Sequence, residues 1–288
     1  MKKDYVESAS DKKRYPDAED YNGGYEKILE TFEEADDDDD MNPVVWYILN
    51  DPDLPNITDI TIGEISEEMD NESYEPIIDM FAENSEKFAH VDTLFIGDSD
   101  SDGWHGDYSS LFAAMPQLKS LTIRGSSKDL SFGSSAYLPN LKHLEIICRG
   151  LSSDLLKDIS KLKLPNLEEL ILWIGKAGNL QSFDGDVSDI TPLLSKKLFP
   201  KLRVLGLLYN EIGDDIAIAV MASDLLPQLE ELHLDAVSLS DKGGQALLDN
   251  VAKIAHLKYL NLDINCLSLE MMEKLEGLGI KISMANFA

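Results

Sequence analysis

A phrase of proline or alanine followed by x-L-x-x-L-x-L occurs eight times in the chain, and no other feature constrains its fold as strongly. Six copies keep close to the pattern: Pro116–Ile123, Pro139–Ile146, Pro165–Leu172, Pro200–Leu207, Pro227–Leu234 and Ala255–Leu262. Two looser copies, Pro55–Ile62 and Ala89–Ile96, precede them. The first apolar positions, 57, 91, 118, 141, 167, 202, 229 and 257, lie 23 to 35 residues apart. Within each copy the last two apolar residues alternate with other residues at the strand period of two, so a short strand turns leucines inward and the intervening residues outward. Between copies the spacing becomes helical, as in Ile212, Ile216 and Val220, or Leu247, Leu248, Val251 and Ile254. Ser240 precedes the second of these series, and Ser152 precedes Leu155, Leu156, Ile159 and Leu162, each where an N-terminal cap belongs. One strand-turn-helix unit cannot bury its own apolar side, whereas stacked units share a core between a parallel sheet and a row of helices. The expected fold is an α/β solenoid of about eight repeats, with parallel strands on the concave face and helices on the convex face.

On these residues the chain resembles the leucine-rich-repeat proteins. Its repeat length, with helices between strands, is most similar to their ribonuclease-inhibitor-like subclass. Asn210 with Ile212, and Asn265 and Cys266 with Leu267, match the turn of that subclass. Val237, Gly175, Arg149 and Ser126 stand at the Asn position of other copies, where a looser turn is expected. The segment Leu170 to Gly175, the pair Gly185 and Asp186, and Asp189 to Leu194 resemble a group of stand-alone bacterial leucine-rich-repeat proteins of unassigned activity. The resemblance spans residues 44–282. It implies a horseshoe and is nearly silent on chemistry.

The formal charge of −29 repels nucleic acid and anionic lipid and favours a protein partner with a basic surface. Residues 1–90 hold 27 acidic and 7 basic side chains, half of all the carboxylates in under a third of the length. Residues 1–40 are therefore expected to be an acidic, largely flexible arm. Within it Tyr25 to Ala35 can form one short helix, while the adjacent carboxylates of Asp36 to Asp40 repel one another. Residues 41–288 are the expected repeat domain, with 41–90 as an N-terminal cap and first repeat. There Val44 to Leu49 reads as a strand with Trp46 as a capping core residue, and Glu75 to Phe88 as a helix. Two cysteines, Cys148 and Cys266, make no disulfide framework, and no apolar run suits a leader or a membrane span, so a soluble cytoplasmic protein is expected.

Asp98, Asp100 and Asp102, followed by Gly103, match the first half of a calcium loop. The twelfth position is Ser109 rather than glutamate, and a strand precedes the loop in place of a helix, so an acidic turn is the first reading and calcium the alternative. No G-x-S-x-G, H-E-x-x-H or G-x-x-x-x-G-K-[ST] motif occurs. The pairs Glu168-Glu169 and Glu230-Glu231 occupy equivalent repeat positions and read as solvated strand edges. His143 and His233 fall on outward positions of separate repeats, and both cysteines read as structural thiols. Neither an enzyme nor a cofactor is expected.

What the strands offer is a surface. Adjacent strands lie about 4.8 Å apart, so outward residues at equal positions of neighbouring repeats touch. Ile147, Ile171, Trp173, Val204 and Leu208 are expected to form one apolar patch, rimmed by Glu145, Glu169, Glu231 and Asp235, with His233 and Tyr259 beside it. An apolar centre in a polar rim is the anatomy of a protein interface. The expected function is a non-catalytic protein-protein interaction module. A competing expectation is that the loop 175–188 folds over the patch. Two alternatives remain: a regulator of a nucleotide-hydrolysing enzyme, which the resemblance implies because some relatives act on small GTPases, with Arg124 as its contact, and a calcium-responsive binder.

Overall fold

The computed structural model describes residues 2–4, 42–63, 73–97, 103–127, 129–133, 136–175 and 183–285. Every copy of the phrase contains a strand, and all its apolar residues, from Ile57 through Leu262, are at most 4% exposed. The chain divides into two compact units, Met1–Leu141 and Lys142–Ala288. In the first, β1 (Lys2–Asp4), β2 (Asp59–Ile62), β3 (Thr93–Gly97) and β4 (Ser120–Arg124) run parallel in sequence order. In the second, β5 (His143–Ile147), β6 (Glu169–Gly175), β7 (Val204–Asn210), β8 (Glu231–His233), β9 (Tyr259–Asn261) and β10 (Ile282–Ser283) do the same. Parallel strands need crossovers, and helices at Glu75–Glu83, Ser109–Ala114, Ser153–Ile159, Gly213–Ala222, Asp241–Asp249 and Leu269–Glu276 supply them. This parallel-strand α/β architecture fits a leucine-rich repeat.

The caps fall where the sequence puts them. Ser152 Oγ accepts from the Leu155 N–H at 3.1 Å, and Ser240 Oγ from the Lys242 N–H at 3.1 Å. Turns between repeats are tied by side-chain amides. Asn265 Nδ2 donates to the carbonyls of Leu234 and Leu262, and its Oδ1 accepts from the N–H groups of Val237 and Leu239. Asn210, fully buried, accepts from the Ile212 N–H at 3.0 Å. Where Gly97 ends β3, its φ is +117° and an added Cβ would lie 1.7 Å from the Arg124 carbonyl oxygen, so only glycine fits.

Three local expectations are corrected. Val44 to Leu49 is not a strand: Pro43–Leu49 is a helix, because Asn42 Oδ1 accepts from Val44 N–H and Val45 N–H and Pro43 supplies the first helical position. Val44 and Ile48 are buried, whereas Trp46 is only half-buried and is not the capping core. The helix expected over Glu75 to Phe88 is broken at Asn84 into Glu75–Glu83 and Ser85–Phe88. At the start of the expected arm, Lys2–Asp4 pairs as a strand with Asp59–Thr61. Tyr25 to Ala35 and Asp36 to Asp40 lie outside the described residues.

Left-handed backbone recurs at the ends of the later strands: Tyr209, Ala236 and Ile264 have φ of 52°, 55° and 58°, with Ser238 at 57°. A Cβ in this region costs about 1–2 kcal/mol. Ser238→Gly is therefore expected to raise stability by about 0.5–1 kcal/mol after glycine's greater freedom in the unfolded chain is set against the relief. A urea midpoint at or below that of the parent chain would contradict this.

Candidate interaction surface

Outward residues of the second unit stand in two rows set by the strand register. One row is His143, Glu169, Val204, Glu231 and Tyr259; the next is Glu145, Ile171, Gly206, His233 and Asn261. Beyond them Trp173 pairs with Leu208. These rows are the ones the leucine alternation implies.

Burial divides the expected patch. Ile147, Val204, Trp173 and Tyr259 are half-buried, whereas Ile171 is 0% and Leu208 2% exposed. Ile171 and Leu208 are thus corrected from anchors to the floor of the face. Gly206 carries no side chain between them, and a Cβ there would lie 2.7 Å from Ile171 Cδ1 and 3.6 Å from Leu208 Cδ2. The branched side chains lean over the glycine and occupy its space. His233 and Asp235, each 5% exposed, are likewise not an open rim. The His233 ring meets Tyr259 edge-on at 5.5 Å and its Nε2 lies 3.2 Å from Glu231 Oε2, while Asp235 Oδ1 accepts from Asn261 Nδ2.

Trp173 forms an aromatic corner with Tyr209, their centroids 6.0 Å apart and their planes tilted by 41°. The left-handed turn at Tyr209 breaks the alternation that would have sent its ring inward after Leu208. Cys148 is buried and its Sγ donates to the Trp173 carbonyl at 3.4 Å, a structural role. The central part of the loop expected to cover the patch, 176–182, lies outside the described residues.

The charged groups form two systems. At the entry to the strands a ladder alternates in sign across five repeats: Lys142, Glu168, Arg203, Glu230 and Lys258. Lys142 meets Glu168 at 3.1 Å, Arg203 bridges Glu168 and Glu230, and Lys258 meets Glu230 at 2.8 Å. These bonds hold the Glu168 and Glu230 carboxyls below their usual range. The second system lies on the face. His143 Nδ1 is 3.0 Å from Glu169 Oε2, and its Nε2 is 3.7 Å from Glu145 Oε2. Burial opposes charge on this imidazole, but the two carboxylates together outweigh it and raise its pKa to about 9. His143 is an imidazolium at neutral pH.

Arg124 ends β4 in the first unit, half-buried and in register with Gly97. Asp98, Asp100 and Asp102 lie outside the described residues, and among those described no group of three or more His, Cys, Asp or Glu is placed to hold a metal ion. No helix among the described residues is long and apolar enough to cross a membrane. Sequence reasoning missed His105 of the first unit. It is fully buried, stacked on Tyr74 at 4.7 Å, with Nδ1 2.9 Å from Tyr108 Oη and Nε2 2.9 Å from the Arg124 carbonyl. No repeat or motif marks it.

No protein-family model and no curated protein matches the chain. Among solved structures it is similar to a Bacteroides fragilis protein determined as a structural-genomics target, with 38% identity, 93% of this chain and 74% of the other covered, and a TM-score of 0.80. An internalin from Listeria monocytogenes aligns with 17% identity over 82% of this chain and 63% of its own, with a TM-score of 0.36.

Proposed function

We propose, for a chain that belongs to the family of the Bacteroides fragilis protein, that it is a non-catalytic interaction module which docks a partner protein on the strand face of its second unit. One observation carries the reading: Ile147, Trp173, Val204 and Tyr259 occupy outward strand positions where folding requires no apolar group, and each keeps part of its surface open. Glu145, Glu169 and Glu231 stand beside them, half-buried, and select a basic partner. The repeats are of the ribonuclease-inhibitor-like kind, as the Asn210 and Asn265 turns and the intervening helices suggest. The working compartment is the cytoplasm, in keeping with the reduced thiols of Cys148 and Cys266, which form no disulfide.

The energetics follow from burial of an aromatic anchor, with charge acting chiefly on encounter. Trp173→Ala and Val204→Lys are each expected to weaken partner capture by tenfold or more, about 1.4 kcal/mol or above. Their unfolding midpoints should stay near that of the parent, since neither side chain belongs to the leucine core. Gly206→Leu is a complementary probe: its side chain must displace Ile171 and Leu208 and so disturb the floor of the face. Undiminished capture of the same partner by Trp173→Ala/Val204→Lys, with the fold intact, removes the proposal.

A further inference from the structure

The entry ladder and the face differ in one respect that bears on the occupant. Each charge of the ladder has an opposite charge at hand on a neighbouring repeat, so the belt from Lys142 to Lys258 presents little net field. On the face, half-buried Glu145, Glu169 and Glu231 are set against His143 and, at the far edge, Lys281. The chain already seats a cation of its own there, with Lys281 Nζ 5.0 Å over the Tyr259 ring. At the other end, Trp173 lies two residues beyond Ile171, the register partner of Glu145. Trp173 and Glu145 are therefore diagonal neighbours on adjacent strands, their backbone positions about 8 Å apart.

Resting on the docking reading above, we propose that the occupant is a basic protein segment carrying an arginine, whose guanidinium lies against Glu145 and Glu169 and beside Trp173, in competition with the His143 proton. A guanidinium suits the position better than an ammonium. It is planar, stacks on an aromatic face and donates in two directions at once, whereas an ammonium is a compact, strongly hydrated point charge. The competition follows from the geometry, because both carboxylates that hold the imidazolium are the ones the guanidinium would use. The charged groups that act on His143 are Glu145 on its own strand and Glu169 on β6. A second cation beside them confronts His143 with a like charge and weakens its hold on the proton. Docking then releases a proton, and affinity increases with pH across the interval between the bound and free midpoints.

The test uses the full chain and reads the imidazole of His143 by NMR across a pH titration. The probes are a short acetylated peptide with one arginine, its citrulline counterpart and its lysine counterpart, at matched ionic strength. With the arginine peptide the His143 midpoint should fall by about one unit, the Trp173 indole signal should move, and Glu145→Gln should reduce both effects. The citrulline peptide should leave the midpoint unchanged. Equal midpoints with arginine and citrulline overturn the proposal, whether or not capture of a partner depends on Trp173 and Val204, which tests the docking reading separately. A lysine peptide that moves the midpoint as far as the arginine peptide overturns the choice of guanidinium.

Discussion

Asn265→Ala is expected to lower stability by about 3 kcal/mol, far more than its place on a turn suggests. The amide closes two successive turns at once. Its Nδ2 donates at 2.7 Å to the Leu234 carbonyl and at 3.0 Å to that of Leu262, and its Oδ1 accepts at 3.1 Å from Val237 N–H and at 3.0 Å from Leu239 N–H. Those four residues are themselves at most 1% exposed, so alanine leaves backbone groups in places where water compensates poorly. Each orphaned group costs roughly 1–3 kcal/mol, moderated here because Asn265 is half-buried and solvent can enter part of the gap. The neighbouring Cys266 is exposed and provides the control: Cys266→Ser should change stability by less than about 0.5 kcal/mol. Urea unfolding read by circular dichroism compares the two. A loss below about 1 kcal/mol for Asn265→Ala would mean that the amide does not carry the turn.

Much of this architecture was legible because a solenoid core repeats one local rule. Spacing in the phrase fixes which residues face inward, and neighbouring copies fix the register, so His143, Glu169, Val204, Glu231 and Tyr259 fall into one row as their positions imply. The misreadings lie where that rule gives no information. Val44 to Leu49 is a run of six apolar residues, too short for its period to separate strand from helix, and the deciding signal was Asn42-Pro43 ahead of it. Ile171 and Leu208 stand at outward positions as expected, yet are buried, because closure depends on the missing side chain of Gly206 and not on alternation. His105 was invisible for a related reason. Two of its partners, Tyr74 and Arg124, come from separate segments, and only the folded chain brings them around one ring.

Two histidines, buried His105 in the first unit and half-buried His143 in the second, make stability depend on pH with opposite signs. The Arg124 carbonyl can only accept, so His105 carries its hydrogen on Nε2 and its Nδ1 accepts from the Tyr108 hydroxyl. Burial lowers its pKa to about 4, against a smaller raising effect of that carbonyl bond. An unfolded histidine takes a proton near pH 6.5, whereas the native one resists it until pH 4. Between those values the unfolded chain binds more protons, and native stability declines as pH falls, by about 3 kcal/mol in total. His143 behaves in reverse. Its pKa is raised, so its contribution is complete below pH 6.5 and is lost as pH climbs to about 9. Partial exposure reduces that contribution to about 1–2 kcal/mol. His105→Gln keeps a donor for the Arg124 carbonyl but cannot titrate. Its unfolding free energy should run nearly flat from pH 6.5 to 4 relative to the parent chain, with the acid-side difference confined to the first unit. His143→Gln should instead flatten the alkaline side. Parallel curves for the parent and His105→Gln over the acid range would show that the buried ring is not what makes the first unit sensitive to acid.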